Sequence, residues 1–297
     1  MSDDSSRAAS ATADRIPVRK TYKLYIGGAF PRSESGRSYP VTSSSGELLA
    51  HAAQASRKDV RDAVVAARKA FGGWSKATAY NRGQVLYRVA EMLEGRRAQF
   101  AEEVGDAEGI SAKQAKAQVD AAIDRWVYYA GWADKYAQVH GSTNPVAGPY
   151  FSFSLPEPTG VVAVLAPQDS SLLGLVSVLA PVLTTGNTAV VVASEARPLP
   201  AISFAEVLAT SDVPGGVVNL LTGFTAELAP WLASHRDVNA VDLTGAAVDA
   251  RTALQVSAAD NVKRVFAPRT VDWAADPGTS RLGAFVETKT VWHPIGV

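Results

Sequence analysis

The chain has 297 residues, of which 47% are apolar and 20% charged; Lys plus Arg equals Asp plus Glu at 29 each, and there is no cysteine. A zero charge balance gives no global field that would draw it to nucleic acid or an anionic membrane, and its apolar runs break well short of a membrane span. The lack of cysteine excludes disulfides, thiolate metal sites and a thiol nucleophile, while the length suffices for one large core or two modest ones.

Residues 1–20 mix Ser, Ala and Asp without an apolar centre, so they read as a disordered tail and not a secretory signal, which makes a cytoplasmic location the expectation. From Tyr22 to Val41, strand alternation interrupted at Gly27-Gly28 and Gly36 predicts a hairpin, and His51–Ala55 a short strand. Ser56 can cap a helix with Asp59 at its third position; Val60, Ala63, Val64, Ala67 and Phe71 form its apolar face. Thr78 is a second cap, followed by Val85, Leu86, Val89 and Leu93. Two more helices are expected over Arg97–Glu108 and Ser111–Val139. The stripe of Trp126, Tyr129, Trp132 and Tyr136 on the latter has the spacing of core packing. Pro145–Pro158 breaks the helical pattern, and the alternation of Phe151, Phe153 and Leu155 predicts a strand with one apolar side.

The centre of the chain, Gly160 to Gly223, alternates buried-strand runs (Val161–Ala166, Thr188–Val192, Val217–Leu221) with amphipathic segments through Leu172–Leu183 and from Pro198 to Leu208. The pattern repeats as a helix at Ala226–Ser234, a strand at Ala240–Leu243, a helix at Ala247–Ala258 and a last strand at Lys263–Phe266. Five such strands predict an α/β, Rossmann-like parallel sheet, with ligand sites at the carboxyl ends of its strands. His51, His140, His235 and His293 lack metal-ligand spacing, so no metal site is expected. Ser170 and Ser171 have no histidine nearby in sequence to activate them.

The run "GVVAVLAP…LAPVLTTGNTAVVVASE…PGGVVNLLTG" resembles the coenzyme domain of the aldehyde dehydrogenase superfamily, and the resemblance is collinear over about 250 residues, from "LYIGGAFPRSESGRSYPV" to "NVKRV". It implies a coenzyme-type α/β domain over 21–144 and 160–267. "AFVETKTVWHPIG" resembles the family's last strand, which implies small oligomerisation strands at 145–159 and 280–297. Residues 268–279 are then a linker standing where the family's catalytic domain would be.

Position by position, the resemblance implies a site stripped of its chemistry. Where the family has Pro-Trp-Asn, with an amide that helps bind the oxyanion, this chain has Pro167, Gln168 and Asp169; an ionised carboxylate cannot donate there. The family's Lys-Pro-Ser-Glu, which holds the adenosine ribose, reads Val192, Ala193, Ser194, Glu195. Its Gly-Ser-Thr, which opens the pyrophosphate-binding helix, reads Gly245, Ala246, Ala247, and Asp249 is expected in that helix's first turn. Phe266, Ala267 and Pro268 stand where the general-base Glu should lie.

Glu195, Thr244 and Gly245 are therefore vestigial coenzyme contacts, no catalytic residue is expected, and no cofactor is expected (NAD or NADP if any). The expected role is a catalytically inactive structural or regulatory subunit, as a homo-oligomer or a hetero-oligomer with a full-length aldehyde dehydrogenase, with no nucleic acid or membrane partner. Its oligomerisation strands are expected to leave unpaired edges. The competing expectation is a divergent NAD(P)-dependent oxidoreductase whose catalytic groups come from a partner chain. A gene remnant with no selected role is a third.

Overall fold

The computed structural model describes residues 18–296. The expected tail therefore lies, up to residue 17, outside the described residues. Strands β1 (Thr21–Tyr22), β2 (Ser38–Thr42) and β3 (Leu48–Ala53) open the chain, followed by helices α1 (Arg57–Lys76), α2 (Ala79–Glu94), α3 (Arg97–Glu108), α4 (Ala112–Trp132) and α5 (Tyr136–His140). Strands β4 (Ser142–Asn144) and β5 (Tyr150–Pro158) then lead into the α/β unit. It runs β6 (Val161–Leu165), α6 (Leu173–Thr184), β7 (Thr188–Val192), α7 (Leu199–Ala209), β8 (Val218–Leu221), α8 (Thr225–Ser234), β9 (Ala240–Asp242), α9 (Arg251–Ala259) and β10 (Arg264–Phe266). Helix α10 (Ser280–Ala284) and strand β11 (Val286–Pro294) complete it.

The helix starts follow their capping chemistry. The Ser56 hydroxyl accepts the amides of Lys58 and Asp59, and the Asp59 carboxylate accepts the Ser56 amide in return. Thr78 accepts from the Asn81 amide, and Ser111 forms a second reciprocal box with Gln114. The helix expected over Ser111–Val139 stops after Trp132, because the amides of Ala133 and Lys135 reach back only three residues, to Ala130 and Trp132, and tighten the turn. Of the expected Tyr22–Val41 hairpin only the part around Gly27-Gly28 forms: Ile26 and Ala29 exchange both backbone hydrogen bonds, at 2.9 and 3.0 Å, and the Leu24 amide donates to the Pro31 carbonyl at 3.0 Å. The strands β1 and β2 flank β3, parallel and antiparallel to it respectively. The segment between them is drawn off because Tyr25 exchanges both backbone hydrogen bonds with Leu220 of β8, at 2.9 and 2.7 Å.

The five strands of the α/β unit form one all-parallel sheet in the order β10-β9-β6-β7-β8. Every residue of β6 and β7 is buried, and alternate side chains enter two different cores. Val162, Val164, Ala189 and Val191 pack with α2, α4, α6 and α7; Val161, Ala163, Leu165, Val190 and Val192 pack with α1, α8 and α9. A two-sided burial of this kind needs the continuous β-branched runs that the sequence supplies.

A second sheet, β11-β5-β4, is antiparallel. Strand β11 pairs with β5 over its whole length, from Val286 opposite Pro158 to Pro294 opposite Tyr150. Of the two strands expected to leave unpaired edges, β5 is thus central, paired with β11 on one side and with β4 over Ser152–Ser154 on the other, while β11 has one edge paired. Strand structure begins at Val286 because Ser280–Ala284 is a helical turn. Phe285 anchors the junction, fully buried, with its carbonyl accepting from the Asn187 side chain at 2.8 Å. On the sheet surface Tyr150 meets Trp292 edge to face, and Tyr150, Phe151, Leu155 and Trp292 stay exposed.

Candidate functional site

In the sheet the chain steps from β6 outwards through β7 to β8, then returns to the other side of β6 for β9 and β10. The direction of winding reverses between β6 and β9, the position at which open α/β sheets form a crevice beyond their carboxyl ends. A cavity of about 830 Å³ lies there. The loops after β6 (Pro167–Asp169), β7 (Glu195) and β9 (Thr244–Val248), the start of α8 and the linker residues Pro268–Val271 and Trp273 line it. All three sequence-predicted residues, Glu195, Thr244 and Gly245, face this one cavity.

Each of them is already engaged. The Glu195 carboxylate accepts the amide of Thr225, the first residue of α8, where it complements the helix dipole. Its own amide donates to the Gln168 side-chain oxygen at 2.9 Å, and Gln168 donates back to the Ala166 carbonyl at 3.0 Å. The Thr244 hydroxyl and amide both donate to the buried carboxylate of Asp242. Gly245 is there for space: a Cβ would stand 1.9 Å from the Ala166 carbonyl oxygen, while its amide donates to Leu165 at 2.9 Å. We expect Gly245→Ala to lower stability by roughly 1–3 kcal/mol, the range for overpacking against a fixed neighbour. A thermal melt unchanged from the wild type would refute this role.

The phosphate-binding turn expected after Gly245 differs from prediction. Helix α9 begins only at Arg251, and residues 246–250 are turns, so Asp249 is exposed ahead of the helix and not in its first turn. The amides of Ala246, Ala250 and Arg251 reach back only three residues, to Leu243, Ala247 and Val248, so the segment is a run of tight turns. The Arg251 guanidinium pins it by donating to the carbonyls of Thr244 (3.2 Å), Ala246 (3.3 Å) and Pro268 (2.7 Å). The Asp169 side chain, exposed at the mouth, accepts from the Trp273 indole at 3.3 Å, and its carbonyl accepts from Arg197 at 2.9 Å.

Ser170 and Ser171 are also used locally. The Ser170 hydroxyl accepts the Gly174 amide, and the Ser171 hydroxyl donates to Glu108 at 2.7 Å. Among the described residues no group of three or more acidic or histidine side chains is placed to hold a metal ion, and no helix is long and apolar enough to cross a membrane.

A family model described as the aldehyde dehydrogenase family matches residues 30–268. The chain belongs to the aldehyde dehydrogenase family. Among its relatives, mitochondrial benzaldehyde dehydrogenase from Antirrhinum majus is 34% identical over 265 residues, covering 87% of this chain and 49% of the relative. Human mitochondrial aldehyde dehydrogenase is 34% identical over 248 residues, covering 82% and 47%. An aldehyde dehydrogenase from Bacillus cereus, solved as its NAD+ complex, superposes with a TM-score of 0.79 at 28% identity over 84% of this chain and 50% of that one. HpcC from Thermus thermophilus does so with a TM-score of 0.79 at 31% identity over 84% and 48%. The chain thus spans about half the length of the aldehyde dehydrogenases it matches.

Two charged residues of this aldehyde dehydrogenase-type sheet were not singled out from sequence. Asp242 is fully buried at the end of β9, and Arg281 of α10, itself buried, donates to its Oδ2 at 2.8 Å and to the Thr244 hydroxyl at 3.2 Å. Burial pushes the Asp242 carboxyl above its usual range, against the pull of Arg281 and the Thr244 donors. The signal was present: an acid closing an otherwise apolar strand, "AVD", requires a partner.

Proposed function

We propose that this chain is a catalytically inactive member of the aldehyde dehydrogenase family that serves as a structural or regulatory subunit of an oligomer, either with its own copies or with a full-length aldehyde dehydrogenase. The observation that carries the reading is the path from β10 to β11. Residues 267–285 cross the mouth of the crevice and lead straight to the strand paired with β5, so the chain holds no second domain between them to supply an acid, a base or a nucleophile. The sequence adds no cysteine, and Phe266, Ala267 and Pro268 stand at the general-base position implied by the resemblance. The outer edge of β11 and the aromatic surface around Trp292 would supply the docking strip. A cytoplasmic location is part of the same proposal. Light scattering of the purified protein, alone and beside a full-length aldehyde dehydrogenase, tests it: a mass above that of the monomer is expected in at least one case, and a monomer in both would overturn it.

A second reading, residual dinucleotide binding, is favoured by the gathering of Glu195, Thr244 and Gly245 around one cavity and by the NAD+ complex of the Bacillus cereus relative. Against it stand the Asp169 carboxylate on the wall, the engagement of the Glu195 carboxylate by the Thr225 amide, and the late start of α9, which removes a helix N-terminus from the pyrophosphate position. Calorimetric titration with NAD+ and NADP+ separates the two readings, micromolar affinity supporting the second.

A further inference from the structure

Behind the linker lies a smaller cavity of about 260 Å³, between α4, α6, α10 and residues 268–277. Arg125 of α4 lines it, buried, with no carboxylate at ion-pair distance among the described residues. Its guanidinium donates to the Ser177 hydroxyl at 2.8 Å and to the carbonyls of Trp273 and Ala275 at 2.9 and 3.1 Å. Those three bonds leave two of the five N–H donors of an arginine over. One helical turn further on, Tyr129 lines the same cavity, and its hydroxyl, fully buried, has no hydrogen-bond partner among the described residues.

A buried cation whose opposing charge, the rim carboxylate of Asp276, makes no hydrogen bond to it, and a buried hydroxyl without a partner, are each unfavourable. On adjacent turns of one helix face they point to the same missing acceptor. The other guanidinium in the wall, that of Arg281, is already neutralised by Asp242. Asp272 and Asp276 sit at the exposed rim with their carboxylates turned to the amides of Ala274 and Gly278, a negative fringe that tolerates one incoming charge better than two. Phe266, Val271, Trp273 and Pro277 supply the apolar part of a wall that also carries the hydroxyls of Thr270 and Ser280.

We propose that this cavity binds a small organic monocarboxylate, its carboxylate accepting from Arg125 and the Tyr129 hydroxyl and its short apolar body lying against Phe266 and Trp273. The site shares the linker residues Pro268, Thr270, Val271 and Trp273 with the crevice as a common wall but lies on their other side, and it holds whether or not the subunit reading does. Burial depresses the basicity of Arg125, a cost that the bound anion offsets.

Calorimetric titration of the full chain with acetate, butyrate and benzoate, against butyramide and inorganic phosphate, tests it. At least one carboxylate is expected to bind one to one, with butyramide and phosphate weaker. Arg125→Gln should weaken that binding roughly tenfold to a hundredfold, the loss of a charge-assisted hydrogen bond, and Arg125→Lys should restore part of it. Tyr129→Phe removes a hydroxyl that bonds nothing in the protein, so it keeps the fold and should still weaken binding several-fold; it decides the matter if Arg125→Gln fails to fold. The proposal is overturned if no carboxylate binds, if butyramide or phosphate binds as well as the carboxylates, or if Tyr129→Phe leaves the affinity unchanged.

Discussion

Arg281→Met is expected to lower the unfolding free energy by about 3–5 kcal/mol, the cost of leaving a fully buried carboxylate without its partner. Asp242 keeps only the Thr244 donors in that variant, at a strand end closed off from solvent. The double variant Asp242→Leu/Arg281→Met should recover much of the loss, because an apolar pair needs no counter-charge. The deficit also carries a pH signature. Burial already raises the carboxyl of Asp242 in the folded state, and removing Arg281 removes the main force opposing that rise. A folded pKa above the unfolded value means that the folded state holds the proton more tightly, so the variant's stability falls as pH rises above the unfolded value of about 4. Urea unfolding at several pH values should therefore find the smallest gap from wild type near pH 4 and a widening gap towards pH 7. A gap independent of pH, or below 1 kcal/mol throughout, would show that the ion pair is not what closes this end of the sheet.

Trp126→Ala is expected to cost about 3–5 kcal/mol, as large aromatic-to-alanine changes in a closed core do. Trp126 is fully buried and stacked on Phe204 at 5.7 Å, where α4 packs beside α7. Its indole N–H has no hydrogen-bond partner among the described residues. Trp126→Phe should therefore cost far less than truncation, since most of the contact area stays and the orphaned donor goes. Chemical unfolding of both variants checks this: equal losses would mean that the core requires the full bicyclic ring and that removing the orphaned donor gains nothing.

The parallel sheet was legible because its central strands β6 and β7 read as continuous, largely β-branched runs, the pattern of two-sided burial, whereas the other three (VNLL, AVD and RVF) each carry a polar or charged residue. The capping boxes at Ser56 and Ser111 were equally plain, being local chemistry. What misled were features settled by distant partners. Tyr22–Val41 alternates like one long hairpin, but only Leu24–Pro31 closes as one, and Tyr25 in its first arm pairs with Leu220, almost two hundred residues on. The turn after Gly245 reads as a helix start, but its amides reach back three residues and not four, and Arg251 ties it to Pro268 of the linker. The resemblance drew attention to Glu195, Thr244 and Gly245, which do meet around one crevice, but it passed over Asp242, Arg125 and Arg281. No family pattern flags those residues. A charge on an apolar strand or helix face flags them all the same, and each one ties the segment after β10 to the body of the sheet.

The pairing of β5 with β11 has a consequence for biosynthesis. Ser154 and Thr290, joined by a hydrogen bond across the two strands, are 136 positions apart. The stretch between them contains the whole parallel sheet, so during translation β5 emerges with one side bare and stays so until its mate clears the exit tunnel. For that interval Phe151 and Leu155 border an open ladder, the type of strand that neighbouring nascent chains on a polysome can capture. Closing so long a loop is slow, which lengthens the time that strand waits uncovered.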